Sequence, residues 1–530
     1  LSCTLKEVTS VELDIVITSD RTMITNHHGR EFLGFVATGP PIGMPERLWL
    51  WICAPKPKVD KLGRPFEAPY GLRKIEAALV DAGFNAAIID PDHLAPYLRH
   101  AKALMIGHHD YFAMASPSIE WWLLTGSEPV NRRSFIRLMR RPEVREAKRK
   151  GLRVIVGGPA AWQWLWNTDY WREFGVDTVV DGEAEKVVVE LAAKALNGEE
   201  LPLYVYAGPD DVPSVDEIPE IKGASVNGLV EVMRGCPRGC RFCPVTLRPL
   251  RYYPLDKIER ELRVNASAGL DKCVLHSEDV LIYGARGLEP NPDALLKLHT
   301  LAKKYCKTLA WSHVTLAEVK YAQEKYKLIT KLTEVIYDEH QQYLGVQIGL
   351  ETGSVNLARK IMPAKAAPYP IETWPRLVED ALAILHEHRI VPALTLILGL
   401  PDETEDDLAQ TAELLDRLKD YRSLIVPMFF VPLGALRDRG WFLREHLKDG
   451  HIEIMRKCLW HSLKWAEDIV SSFYLKGAHN APLRWSLKLF LAYVRRKAVE
   501  VEKWLNEGGW ESTKESVKET AALPPVAARA

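Results

Sequence analysis

Charge of one sign, paired cysteines and long apolar runs are all scarce in this sequence. Lys and Arg number 69 against 70 Asp and Glu, a formal net charge of −1. No global basic field therefore draws the chain to nucleic acid, and no nucleic-acid partner is indicated. Of its 8 cysteines, Cys3, Cys53, Cys273, Cys306 and Cys458 are isolated singles. They are too scattered for a disulfide framework, which predicts a reducing compartment. No stretch of about 18 uninterrupted apolar residues is available to cross a bilayer, and the first residues lack the basic-then-apolar pattern of a secretory signal. These absences predict a cytoplasmic protein, with membrane contact limited to a peripheral one from the inner face. At 530 residues the chain is long enough for two or three domains with sizeable cores.

The three remaining cysteines lie together, in Arg234-Gly-Cys-Pro-Arg-Gly-Cys-Arg-Phe-Cys243. Cys236, Cys240 and Cys243 make a C-x3-C-x2-C loop directly after Gly228-Leu-Val-Glu-Val-Met233, an apolar run that reads as a strand. Gly235, Pro237 and Gly239 let the backbone fold back, so three thiolates can converge on one soft metal centre. Iron-sulfur clusters usually take four cysteines. Three would leave one iron open, and an open metal position is where a substrate binds. The plainer alternative is a structural zinc knuckle with His276 as fourth ligand, although zinc sites favour paired C-x2-C units.

Residues 1–45 read as an N-terminal extension, with a strand at Ile15–Thr18 and a polar loop in which the adjacent His27 and His28 are more often solvated than ligating. From 46 to 202 an α/β rhythm is expected. Leu48–Cys53 reads as a buried strand and Pro69–Gly83 as a helix closed by glycine; strands follow near 86–89, 103–106, 152–157 and 176–180. Such alternation predicts a doubly wound parallel sheet with ligands at the carboxyl ends of its strands, where Gly107-His-His-Asp-Tyr-Phe112 also falls. Pro209, Pro213 and Pro219 mark 203–225 as a linker. A second α/β domain is expected over 226–440 and a helical region over 441–530, ending in a disordered tail. Within that region Leu483–Lys497 interleaves basic and apolar residues like an interfacial helix, or one docked on the preceding domain.

The cysteine loop resembles the defining motif of the radical S-adenosylmethionine (SAM) family. The resemblance implies a [4Fe-4S] cluster on Cys236, Cys240 and Cys243 whose open iron chelates SAM. Reduction then cleaves the sulfonium to a 5′-deoxyadenosyl radical that abstracts hydrogen from unactivated carbon. An electron donor such as ferredoxin or flavodoxin is implied as a partner. Ser277-Glu-Asp279, at the end of the strand Lys272–His276, occupies the place of the family's acidic motif and assigns Glu278 to the methionyl ammonium. Gly345–Ser354 resembles the element whose glutamate and serine contact ribose or the methionyl carboxylate, here Glu351 and Ser354; Ser354 also suits a helix N-cap. Gly399-Leu-Pro-Asp-Glu-Thr404 resembles the turn near the adenine, with Gly399 and Pro401 in place and Asp402 where a glycine is usual. Strands near 229, 273, 310, 346, 395 and 426 then make a partial (β/α)6 barrel with its chemistry at their carboxyl ends.

The N-terminal domain resembles the cobalamin-binding domain of one class of this family, through Pro69-Tyr-Gly71, Gly157-Gly158-Pro159 and Gly182-Glu183. Gly157, Gly158 and Glu183 become candidate cobalamin contacts. No D-x-H-x-x-G is present, so no histidine is offered to cobalt by that motif. Local runs at 276–284, 311–313, 350–365, 426–432 and 461–465 resemble an archaeal branch that includes enzymes joining or cyclising tetraether membrane lipids. Cys273, Cys306 and Cys458 are too few and too scattered for the auxiliary cluster that the resemblance implies for chain-condensing members, so ring formation or cross-linking of an apolar or lipid chain is the first expectation. Cobalamin-dependent C-methylation is the alternative, and a non-catalytic iron-sulfur or zinc protein the second.

Overall fold

A computed structural model describes residues 12–29, 32–41, 43–469 and 481–506. The chain divides into two compact units, one of the described residues up to Leu229 with Arg260–Leu270 and one of Val230–Glu259 with the described residues from Asp271 onward.

The first unit is a six-stranded parallel sheet of β1 (Ile15–Thr18), β2 (Ala86–Ile88), β3 (Ala103–Gly107), β4 (Arg153–Gly157), β5 (Thr178–Gly182) and β6 (Tyr204–Ala207) in the order 2-1-3-4-5-6. Ile15 pairs with both Ala86 and Ala103, so the segment expected to be an extension supplies an inner strand, buried at all four positions. The expected strand at Leu48–Cys53 is instead the end of a helix, Glu46–Cys53. A short apolar run does not distinguish the two, whereas Pro45 and Glu46 are helix-start signals. The expected linker contains β6, which pairs with β5. Helix Tyr70–Asp81 lays Leu72 and Leu79 against Ile15, Ile17, Ile88 and Met105 in the core. Its buried Lys74 is held by Glu261 at 2.5 Å and by the Pro219 carbonyl at 2.6 Å, and Tyr70 donates to the same Glu261 at 2.7 Å.

In the second unit six strands follow in chain order, β7 (Leu229–Glu231), β10 (Lys272–His276), β11 (Thr308–Trp311), β12 (Leu344–Glu351), β13 (Ile390–Leu398) and β14 (Leu424–Phe429). A short antiparallel ribbon, β8 (Met233–Arg234) with β9 (Arg251–Tyr252), closes the cysteine loop. Two three-stranded sheets are joined by a parallel bridge from His313 to Gln347, with Gln347 N–H donating to Ser312 at 3.0 Å. The result is the expected partial barrel. Along β12, Val346, Ile348 and Leu350 are buried while Gly345, Gln347 and Gly349 are half-buried. One face thus packs on the surrounding helices, and the other stays accessible.

Cys273 of β10 and Cys306, just before β11, are paired as a disulfide with Cα atoms 5.9 Å apart. They are not the isolated singles expected from sequence; parallel pairing of β10 with β11 brings together positions 33 residues apart. The case for a reducing compartment loses these two cysteines. No helix among the described residues is long and apolar enough to cross a membrane.

Candidate active site

The cysteine loop leaves the carboxyl end of β7 and turns back at once. Gly235 has φ 91°, and a methyl group there would lie 2.5 Å from the Pro249 carbonyl. Only glycine fits so close a return. The Thr246 hydroxyl bonds the carbonyls of Cys240 and Cys243 at 3.2 and 2.9 Å. Arg241 N–H donates to the Ile361 carbonyl at 2.8 Å, and Ala435 N–H to the Arg241 carbonyl at 2.7 Å. The three thiols are free, Cys240 buried and the other two half-buried. Burial pushes all three up, Cys236 to about 12, while Lys365 opposes this at Cys240 and Cys243.

Among the described residues no three His, Cys, Asp or Glu side chains gather as they would around a single metal ion. His276 is thus not assembled with the cysteines into a zinc knuckle. Three soft thiolates with a nearby ammonium suit a larger, anionic iron-sulfur core.

Arg238, inside the cysteine motif, is 1% exposed. It donates to Glu318 at 2.8 Å and to the carbonyls of Lys365 and Ala367 at 3.1 and 2.9 Å, with Asp279 at 3.6 Å. The motif's middle residue thereby ties the loop to β10's end and to the 362–367 turn. Sequence reading passed over it because Glu318 lies 80 residues away.

Glu351 sits at φ 64° beside an irregularity in the β12–β13 pairing. Lys365 donates to its Oε1 at 2.6 Å, and its buried Oε2 has no partner. A methyl group at Gly349 would fall 1.9 Å from that Oε1, so the glycine makes room for the folded-back carboxylate. Lys365 was legible only as part of a resemblance run, with no role attached.

Glu278 follows β10 and is half-buried, with Oε2 lacking a partner. Burial, then Glu231, pushes its carboxyl up to about 7. Glu231 is itself clamped by Arg234 at 2.7 and 2.8 Å and by the Tyr253 hydroxyl at 2.7 Å. His276 and His313, at the ends of β10 and β11, have ring centroids 6.3 Å apart. Both are kept neutral by burial, His313 being lowered to about 4. Neither was singled out from sequence as lining the barrel.

Ser354 takes the cap role that its place in the sequence suits. Fully buried, it caps helix Val355–Ile361 by accepting from Leu357 N–H at 3.2 Å and donates to Asp407.

Gly399 takes φ 77°, packs against the Phe442 ring and donates to Glu403 at 2.8 Å. Asp402 stands at φ 65°. The turn therefore keeps its left-handed residue, because aspartate tolerates that region better than most side chains. Pro401 lies between them, and Thr404 with Asp407 forms a capping box for helix Glu405–Leu418.

In the first unit the glycines are filled by the chain itself. A methyl at Gly158 would lie 2.8 Å from the His108 carbonyl, one at Gly157 3.3 Å from the Val180 carbonyl, and one at Gly182 2.2 Å from the Ala207 carbonyl. Close backbone packing requires glycine at these positions. Glu183 is buried. His108 donates from Nε2 to Asp20 at 2.6 Å, its Nδ1 accepting from Asp110 N–H at 2.8 Å. His27 and His28 hydrogen-bond the carbonyls of Cys53 and Trp51 at 2.6 and 3.1 Å, closing a turn. The strand order reverses between β1 and β3, the place where such sheets bind ligands. There Ser19 offers a buried hydroxyl with no partner and His109 an exposed ring. A buried hydroxyl without a partner beside an exposed histidine gives this place groups suited to a polar ligand.

Comparison with known proteins bears on the barrel segment first. Residues 230–415 match the radical SAM superfamily. That radical SAM segment brings with it a [4Fe-4S] cluster and SAM as cofactors. A tRNA-2-methylthio-N(6)-dimethylallyladenosine synthase of Thermotoga petrophila is 25% identical over 248 residues, 46% of this chain and 52% of that protein. A threonylcarbamoyladenosine tRNA methylthiotransferase of Aquifex aeolicus is 22% identical over 323 residues, 60% of this chain and 74% of that one. An uncharacterized Methanopyrus kandleri protein is 28% identical over 215 residues, 39% of this chain and 38% of its own. The chain thus spans about half or less of the first curated relatives it matches. In fold it is similar to the radical SAM methyltransferase TsrM of Kitasatospora setae, solved with cobalamin and a [4Fe-4S] cluster bound. The TM-score is 0.50 at 15% identity, covering 79% of this chain and 76% of that one. The fold is therefore TsrM-like, a parallel α/β unit followed by the radical SAM barrel.

Proposed function

We propose that the chain is a cobalamin-dependent radical SAM enzyme that methylates carbon. The observation that carries the radical SAM part is the cysteine loop, with three free thiols at the carboxyl end of β7, beside two buried carboxylate oxygens, on Glu278 and Glu351, that have no partner. When bound, the cluster supplies the electron that breaks a carbon–sulfur bond of SAM. Cys236, Cys240 and Cys243 hold that cluster, and Arg238 fixes their loop. Glu278 accepts the methionyl ammonium, whose charge draws the carboxyl to its ionised form. Glu351, oriented by Lys365, accepts a ribose hydroxyl on its unpartnered oxygen, and the Gly399–Pro401 turn borders the adenine. Neutral His276 and His313, at the ends of β10 and β11, offer hydrogen bonds to the substrate.

Methylation is preferred over ring formation because the solved protein of similar fold, covering both units, carries cobalamin. Cobalamin, when bound, supplies a carrier for the methyl group, and the Ser19–His109 edge is the part of this chain that would hold it. Ring formation or cross-linking of archaeal tetraether lipids, the first expectation, rests on sequence runs alone. A net charge of −1 gives no field for the tRNA named in the relatives' activities. A ferredoxin or flavodoxin is the proposed electron donor.

The test is anaerobic reconstitution with iron, sulfide and hydroxocobalamin, then reaction with SAM and dithionite. Iron, corrinoid, 5′-deoxyadenosine and S-adenosylhomocysteine are measured. About four irons and one corrinoid per chain, with SAM products abolished in Cys240→Ala, are expected. SAM cleavage without retained corrinoid would select the ring-forming reading; zinc without SAM cleavage would leave a metal-binding protein.

A further inference from the structure

The helix Ala481–Asn506 has a role that SAM chemistry does not explain. Leu491 and Val494 are half-buried and Ala498 is buried, and Glu502 pairs with Arg456 at 3.4 Å. These positions recur at helical spacing and form the face packed on helix Asp449–Ile469, where Arg495 also reaches Glu467 at 3.2 Å.

The opposite face carries Trp485, Leu489 and Tyr493, one turn apart, which are 65%, 52% and 54% exposed. Ala492 and Arg496 lie on the same side and are exposed too. A tryptophan, a leucine and a tyrosine in a row in water need a reason. The residues around them indicate one. From 484 to 497 the chain has five Lys and Arg and no Asp or Glu, in a protein of net charge −1. Lys488, Arg495, Arg496 and Lys497 are exposed. Aromatic and apolar residues on one face, rimmed by long cations, are the composition of a helix lying in the headgroup layer of an anionic membrane. Arg495 pairs with Glu467, and Arg496 and Lys497 with Glu500, at 3.2, 3.7 and 2.6 Å; such exposed pairs are weak, so lipid phosphates can replace the carboxylates while the methylene stems extend along the apolar strip. The same helix is not apolar enough to cross a bilayer.

We propose that the outer face of helix Ala481–Asn506 docks the protein on an anionic lipid surface through Trp485, Leu489 and Tyr493, with Lys488 and Arg496 at the headgroups. The placement is independent of the reaction catalysed.

The test is flotation of the full-length protein with vesicles of phosphatidylcholine alone or mixed one to one with phosphatidylglycerol, at low and high salt. Binding to anionic vesicles should exceed binding to neutral ones by at least tenfold and weaken with salt. The triple variant Trp485→Ser, Leu489→Ser, Tyr493→Ser should lose at least tenfold while keeping the wild-type far-ultraviolet circular dichroism and melting temperature. Lys488→Gln with Arg496→Gln should narrow the gap between the two vesicle types. Equal flotation with both vesicle types, or a triple variant that floats like wild type, would overturn the proposal. So would a concentration-dependent dimer abolished by the triple variant without vesicle binding, which would make a second copy the occupant.

Discussion

Replacing Arg238 by methionine probes the residue that fixes the cysteine loop. Arg238 is 1% exposed, and its guanidinium makes hydrogen bonds of 2.8, 2.9 and 3.1 Å to Glu318 and to the Ala367 and Lys365 carbonyls, with a longer one of 3.5 Å to the Ala364 carbonyl. Methionine fills the space of the side-chain stem but leaves Glu318 buried without its cation. Breaking one side of a buried pair costs about 3–5 kcal/mol, and each carbonyl left without its donor adds up to about 1 kcal/mol. Relaxation makes about 4 kcal/mol the expected total. Removing both charges differs from removing one, since an apolar pair of similar volume can be nearly neutral. Arg238→Met with Glu318→Met should therefore be more stable than Arg238→Met alone. Urea unfolding of the metal-free protein, followed by circular dichroism, gives the stabilities, and iron per chain after reconstitution reports the loop. A single variant within about 1 kcal/mol of wild type with full iron would refute the clamp. So would a double variant whose loss equals the sum of the two singles.

Glu278 should make SAM affinity depend on pH. Its carboxyl is raised to about 7 and binds the ammonium only when ionised, so affinity should fall about tenfold from pH 8 to pH 6. Glu278→Gln should be weaker and flat by equilibrium dialysis; an unchanged slope in the variant would refute the assignment. Ser354→Ala should cost about 1–2 kcal/mol as a lost cap, with little change in SAM affinity, whereas a selective loss of SAM binding would establish the ligand role. Gly158→Ala sets a methyl 2.8 Å from the His108 carbonyl at φ 91°. It should destabilise the first unit by about 1–3 kcal/mol even without corrinoid, as measured by its urea midpoint; a stable variant that only loses corrinoid would assign the glycine to the cofactor.

The barrel was readable because its strands are short, mostly apolar segments between helical patterns. The cluster cysteines were readable because their spacing is local. What escaped was non-local or ambiguous. Leu48–Cys53 has six apolar residues in succession, which fit a helix turn and a strand equally. Ile15–Thr18 was visible as a strand, but nothing within four residues tells that its neighbours lie at Ala86 and Ala103. Arg238 with Glu318, and Cys273 with Cys306, meet only once the strands are laid side by side. Ser354 was ambiguous in sequence for a physical reason: the hydroxyl that suits a cap is the one that would suit a ligand. The glycines at Gly157 and Gly158 could not reveal whether the atom crowding them belongs to a cofactor or to the chain.

The buried lysine of the first unit has a consequence for synthesis on the ribosome. Lys74 and its carboxylate partner Glu261 are 187 residues apart, with the cysteine loop encoded between them. Until Glu261 has emerged, the nascent first unit lacks the carboxylate that lies 2.5 Å from Lys74, and β1 must itself wait for β3 before its second edge is covered. Contacts of such separation form late, after the loop between them has closed. The nascent chain therefore carries its cysteines into the cell before the unit that precedes them is complete. A fragment cut at residue 229 would keep the sheet but lack the Glu261 carboxylate.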